Sequence, residues 1–184
     1  MSYVSSVETV ILEEVLAMQE KYLGPGMSES DKEKHGFLTC SYSIAMLQEM
    51  CGEYGHIVAL QNNKVIGYAL VMLRGYDAPI PVVKMMFDKI GNSVWDGEPL
   101  SGVSYYTIGQ ICIDRLYHGT GIFQGLYNKH KELMSKHFKY CITEISGLNK
   151  RSLRAHEKVG FEVLMSYKDP SDHPWNLVIW DWRS

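Results

Sequence analysis

The chain has 184 residues, room for one domain that buries about 70% of the surface its unfolded form exposes. Its 46% hydrophobic and 21% charged residues are those of a globular protein, and a net charge of −3 without a long basic run argues against nucleic-acid or membrane partners. No stretch approaches the roughly 18 apolar residues that span a bilayer, and residues 1–23 lack the apolar centre of a signal peptide, so a cytoplasmic location is expected.

In chain order, the pattern predicts a helix over 7–22, a breaker at Gly24-Pro25-Gly26, and a polar loop or short helical turn over 28–35. A second helix is predicted over 41–52, capped near Thr39 or Ser41. Two strands, 56–61 and 65–73, flank a hairpin turn at Asn62-Asn63-Lys64. The segment 74–104 is too long for a plain connection. It holds Pro79, Pro81, Gly91, Gly97 and Pro99 around a predicted helix at 82–90. It reads either as a surface excursion or as a cover for a binding pocket, and Trp95, Asp96 and Glu98 would then touch what is bound. Strands are expected at 105–113, 140–146, 161–167 and 177–182, with helices at 122–137 and 149–159. The four cysteines, Cys40, Cys51, Cys112 and Cys141, form no C-x-x-C pair and read as buried reduced thiols, with Cys112 and Cys141 the minor candidates for a catalytic one. His130 and His137 lack a carboxylate or cysteine partner at ligand spacing, so no metal is expected. Trp175, Trp180 and Trp182 pack either the core or a subunit contact, which leaves a homodimer open.

Two segments carry chemistry. The turn Asp114-Arg115-Leu116-Tyr117-His118-Gly119-Thr120-Gly121 joins a strand to a helix. Unpaired N–H groups at a helix start, backed by the helix dipole, make an anion site suited to phosphate. Gln124 breaks the dinucleotide fingerprint G-x-G-x-x-G, and no G-K-[ST] follows, so neither nucleotide motif applies. The second segment runs from Asn149 to Phe161, with Asn149 as helix cap and Gly160 as stop.

Together these segments resemble the GNAT superfamily of N-acetyltransferases. The family's second motif, N-x-x-[SA]-x-x-x-Y-E-K-x-G-F, is met by Asn149, Ser152, Glu157, Lys158, Gly160 and Phe161, with His156 where the family has tyrosine. In the glycine turn, His118 and Phe123 stand where the family has Gln or Arg and Gly or Ala. The resemblance implies an α/β (α+β) GNAT fold: one domain over 1–184 with an insert at 74–104, a central mixed, mostly antiparallel sheet with a splayed parallel strand pair, and helices on both faces. It implies acetyl-CoA as co-substrate and an amine acceptor. Ile111, Cys112 and Ile113 would pair with the pantetheine arm. Gly119, Thr120, Gly121, Ile122, Phe123 and Gln124 would hold the pyrophosphate, with Asn149 and Ser152 on the opposite side.

Direct attack of an amine on a thioester needs a base, an oxyanion donor and provision for the departing thiolate. Glu144, five residues before Asn149, is the expected base, and His156 the expected acid. The acceptor is expected to be a small molecule or amino acid, with a protein amino terminus or lysine as the alternative. A non-catalytic acyl-CoA sensor, or an interaction module without CoA, are the readings from other classes.

Overall fold

The computed structural model describes residues 1–76 and 80–183, the side chains of 33–35 excepted. The elements are β1 (Ser2–Ser6), α1 (Thr9–Tyr22), α2 (Glu29–His35), α3 (Ile44–Met50), β2 (His56–Gln61), β3 (Lys64–Leu73), α4 (Pro81–Gly91), β4 (Val94–Trp95), β5 (Glu98–Pro99), β6 (Tyr105–Ile113), α5 (Ile122–Met134), β7 (Tyr140–Ser146), α6 (Lys150–Val159), β8 (Glu162–Lys168) and β9 (Pro174–Asp181). Seven strands form one sheet in the order β1-β2-β3-β6-β7-β9-β8. Among the described residues of this sheet, β6 and β7 pair in parallel and the other strand pairs are antiparallel.

Each face of the sheet has its own core. Leu12, Val15 and Met18 of α1, Leu47 and Met50 of α3, and Val83, Met86 and Ile90 of α4 cover one face. On the other, Ile122, Leu126, Tyr127 and Met134 of α5 pack with Tyr106, Ile108, Phe161 and Trp180. Burying a side chain of this kind fully contributes roughly 1.5–3 kcal/mol.

Several expectations shift by a few residues for identifiable reasons. β1 is too short and serine-rich to announce itself, and it exists because it pairs with β2 from Ser2↔Leu60 to Ser6↔His56. Its Tyr3 lies over Gly125 of α5, where an added Cβ would run into the tyrosine ring and hydroxyl. Gly125→Val should therefore lower the melting temperature by several degrees, read by calorimetry, through overpacking. α3 starts later than predicted because the Tyr42 N–H is held by Gln19 Oε1 at 2.8 Å, outside the helix, which leaves Ser43 Oγ to cap the Met46 N–H. The hairpin between β2 and β3 turns through Asn62 and Asn63, both in the left-handed region at φ 51° and 58°, as a two-residue turn requires.

The insert belongs to the core. Val83, Met86, Ile90 and Leu100 are buried in the same cluster as Tyr105, Tyr140 and Leu177. Its Pro79 lies outside the described residues. Trp175 and Trp180 are buried within the chain, so they pack the core. Among the described residues, no helix is long and apolar enough to cross a membrane.

Candidate active site

One extra residue in β6 opens the sheet. The register with β3 steps from Leu70↔Gln110 to Val71↔Ile108, so Gly109 is left over as a bulge. The parallel pairing with β7 runs only from Tyr105↔Tyr140 to Ile108↔Thr143, whereas β7 continues beside β9 as far as Ser146↔Trp175. From Gln110 onward, β6 therefore parts from Glu144–Ser146 of β7. The parting is stitched by side chains: Thr143 Oγ1 donates to the Ile108 carbonyl at 2.9 Å, and Tyr42 Oη donates to the Gly109 carbonyl at 3.1 Å. Each replaces a bond that a continuous ladder would have made.

Two cavities, sharing Phe37, Leu38, Ile111, Asn149 and Ser152 in their walls, occupy the gap. The larger, about 460 Å³, runs from Ile111, Cys112 and Ile113 across the glycine turn to α6. Gly119 and Gly121 adopt φ 80° and 86°, a conformation that favours glycine, and Gly121 is the N-cap of α5. An added Cβ at either meets nothing, so the backbone there lies open to a ligand. Asp114, which sets the turn, accepts the Leu116 N–H and pairs with Lys21 Nζ at 2.8 Å. Asn149 caps α6, its Oδ1 accepting the Ser152 N–H at 3.0 Å.

Of the donor-side residues expected from sequence, Ile111, Cys112, Ile113, Gly119, Gly121, Ile122, Phe123, Asn149 and Ser152 line this cavity. Thr120 and Gln124 face outward, where Thr120 Oγ1 donates to the Tyr117 carbonyl and Gln124 Nε2 to Asn128 Oδ1. The Thr120 N–H also donates to the Tyr117 carbonyl, at 3.3 Å, so what the turn would offer at these two positions is the backbone N–H of Gln124. The Phe123 ring is 5.1 Å from Tyr127 and 5.0 Å from His156, centroid to centroid, so it leans on the core and leaves the turn uncrowded. His118 contacts the Ile113 carbonyl through Nε2 at 3.1 Å, tying the turn back to its strand.

Sequence reasoning missed the cationic wall. Arg115, Arg151, Arg154 and Lys158 also line the larger cavity, with Gly36, Phe37 and Leu38 closing its other side. The signal was present: positions 151, 154 and 158 recur at helical spacing. Cys112 lines the same cavity, yet burial pushes its thiol up to about 12, as it does for Cys141. Neither is a ready nucleophile, since the thiolate is the reactive form.

The smaller cavity, about 70 Å³, lies deeper in the gap and brings Glu144, His156, Asn149, Ser152 and Trp175 together. Glu144 is half-buried, and burial pushes its carboxyl up to about 7. Asp169 pushes the same way, and a hydrogen bond from Tyr167 Oη opposes them. A carboxyl poised near neutrality can exchange protons at working pH.

His156 is placed differently from the expectation. Its Nδ1 is 2.8 Å from the Ser152 carbonyl and must donate to it, so Nε2 accepts from Tyr127 Oη at 2.6 Å. Burial holds the ring well below its usual range, at about 4. A neutral imidazole with both nitrogens engaged has no proton to give the cleft.

Trp95, Asp96 and Glu98 lie outside both cavities. Glu98 is bound by Lys139 Nζ at 2.8 Å and Tyr140 Oη at 3.0 Å, and Asp96 and Glu98 each approach Arg183 at 3.5 Å. These contacts fasten the insert to the start of β7, whereas Glu144 sits further along the same strand.

A family model described as the acetyltransferase (GNAT) family matches residues 20–161. No curated protein sequence matches the chain. Its fold is similar to the ribosomal-protein-S18-alanine N-acetyltransferase of Escherichia coli, with 16% identity, TM-score 0.62, and 98% of this chain and 92% of that chain covered. It is similar also to Arabidopsis thaliana NAA60, solved with acetyl-CoA, at 12% identity and TM-score 0.65 with 98% of both chains covered. The NatB acetyltransferase complex bound to CoA and MES gives 12% identity and TM-score 0.66, covering 98% and 99%. With its bulged, splayed sheet, its glycine turn and a match spanning most of its length, the chain belongs to the acetyltransferase (GNAT) family.

Proposed function

We propose that this protein is an acetyl-CoA-dependent N-acetyltransferase that acts on a primary amine by direct attack, with Glu144 as the base. The observation that carries the proposal is the adjacency of two cavities with shared walls: a cationic, glycine-edged cleft at the open edge of β6 lies beside a smaller cavity lined by Glu144, whose carboxyl is tuned near neutrality. The cleft suits a diphosphate at the α5 N-terminus and phosphate charge along Arg115, Arg154 and Lys158.

In the reaction, Glu144 takes a proton from the incoming ammonium, directly or through a water. The amine nitrogen then forms its bond to the thioester carbonyl carbon while the carbon–sulfur bond breaks, and the second proton that the nitrogen must shed passes to water or to the departing sulfur. A backbone N–H in the Ile111 to Ile113 segment is the donor to the oxyanion. The departing thiolate belongs to a thiol of pKa about 8.5 and can leave as the anion or take a proton from water, so the mechanism does without the acid expected at His156. The smaller cavity admits the amine and its first carbons, whichever molecule carries it; a small molecule or amino acid is the leading acceptor class.

The test has two parts. Acetyl-CoA at 100 times its Kd should stabilise the protein by about 2.7 kcal/mol, seen as a raised melting temperature. A diamine, an amino acid and a short peptide with a free amino terminus are then assayed for release of CoA thiol. Absence of the thermal shift removes the donor site; a shift with no thiol release from any amine supports the sensor reading instead. A further expectation concerns the cationic wall: Arg154→Glu with Lys158→Glu should weaken CoA roughly tenfold or more at low salt, with the difference shrinking as salt is added, measured by titration calorimetry.

A further inference from the structure

We infer that Tyr167 is the positioning residue for Glu144, holding one carboxylate oxygen so that the other faces the gap. The inference rests on Glu144 being the base, and it concerns a residue of β8 that neither motif contains.

The geometry comes from sheet register. Glu144 of β7 stands opposite Leu177 of β9, and Tyr167 of β8 stands opposite Trp175 of the same strand. Positions 175 and 177 share a face, so Glu144 and Tyr167 reach towards each other across β9 on one side of the sheet. There the Tyr167 hydroxyl donates to Glu144 Oε1. Trp175 walls the cavity beside Glu144 and is itself tied by Nε1 to Asp169 at 3.1 Å. The Tyr167 ring is held in turn by the insert, with Lys89 Nζ of α4 lying 5.2 Å from its centroid.

A carboxylate fixed through one oxygen has one rotamer and one open lone-pair edge, which is what a proton acceptor in a narrow gap needs. The same bond favours the ionised form, because a donor stabilises the anion more than the acid. Other groups acting on Glu144 are Asp169 in the turn between β8 and β9, and Cys40 and Tyr42 in the segment before α3; none of these donates to its carboxyl. Tyr167 is therefore the neighbour that both orients the base and, against the effect of burial, favours its charged form.

The test is Tyr167→Phe, which deletes the hydroxyl and keeps the ring beneath Lys89. Glu144 titration is followed by carbon-13 NMR of carboxyl-labelled glutamate, its signal assigned by loss in Glu144→Gln. This readout requires no acceptor. The expected result is a midpoint raised by about one unit or more in Tyr167→Phe. Replacement of Tyr167 by 3-fluorotyrosine, a stronger donor of nearly the same shape, should move the midpoint down. With any amine found to be acetylated, the acidic limb of kcat/KM should follow the same shifts, and Tyr167→Phe should recover most of its rate at high pH. Unmoved midpoints in both variants would overturn the inference. So would a loss of rate at every pH without a midpoint shift, which would make Tyr167 a direct proton donor. If Tyr167→Phe fails to fold, the 3-fluorotyrosine protein decides alone. Full activity of Glu144→Gln, by contrast, would remove the base assignment itself, an outcome separate from any behaviour of Tyr167.

Discussion

Glu144→Gln is expected to lower the rate of acetyl transfer about 10²–10⁴-fold while leaving CoA affinity near its original value, the range that a positioned base contributes. The amide keeps the shape and can still contact Tyr167, so the substitution removes proton acceptance and little else. Glu144 does not line the larger cavity, which is why donor binding should be spared. The pH dependence has a definite sign. Burial raises the carboxyl to about 7, so the base is half protonated at neutrality and activity should climb as pH rises through that value. Single-turnover thiol release, paired with calorimetric titration of CoA, separates the two quantities. Equal rates for both proteins would show that water, rather than this carboxyl, takes the proton.

Acidification should destabilise the fold steeply between about pH 6.5 and 4, through three buried histidines. His56, His130 and His156 share one arrangement. Each donates to a backbone carbonyl, respectively Leu47, Ala69 and Ser152, and accepts on its other nitrogen from Val71 N–H, Tyr106 Oη and Tyr127 Oη. A second ring proton would meet a donor instead of an acceptor, and at His56 that donor is a backbone N–H that cannot turn away. Burial lowers the three to about 4, 3 and 4. The unfolded chain, with histidines near 6.5, therefore binds more protons than the folded one over this range. Stability is fully present above about 6.5 and is lost as pH falls through the lowered values. At about 1.4 kcal/mol per unit, the combined loss is on the order of several kcal/mol, comparable with the whole stability of a domain. Glu144 works in the opposite direction, since its raised carboxyl favours the folded state at lower pH, but it is one group against three. Melting temperatures across pH 4–8 check this, and His56→Gln should flatten the lower end of the curve.

From residue 56 onwards the strand and helix pattern was legible, the short β4–β5 hairpin excepted, because its signals are local: asparagines at a hairpin turn, glycines at a helix start, Asn149 and Gly160 as caps. β1 was not, since its strand character comes from pairing with β2 and from the space that Gly125 leaves for Tyr3. The donor side was largely readable because backbone carries it and glycine marks backbone. Catalytic roles were harder. Glu144 could be placed on β7, but its tuning depends first on its burial and then on Tyr167 and Asp169, both more than twenty residues away in sequence and brought near by β8 and β9. His156 looked like an acid by its motif position; its partner Tyr127 lies a helix away, and only the packing of α5 on α6 reveals that the imidazole is already engaged.

The leftover glycine in β6 also bears on how a ligand arrives. Because Gly109 breaks the ladder, and Thr143 and Tyr42 satisfy the carbonyls it strands, the wedge between β6 and β7 stands ajar in the free protein. No ladder bond has to be broken for a guest to enter, and the rim is pre-shaped for an extended amide-bearing chain to lie along it as an eighth, borrowed strand.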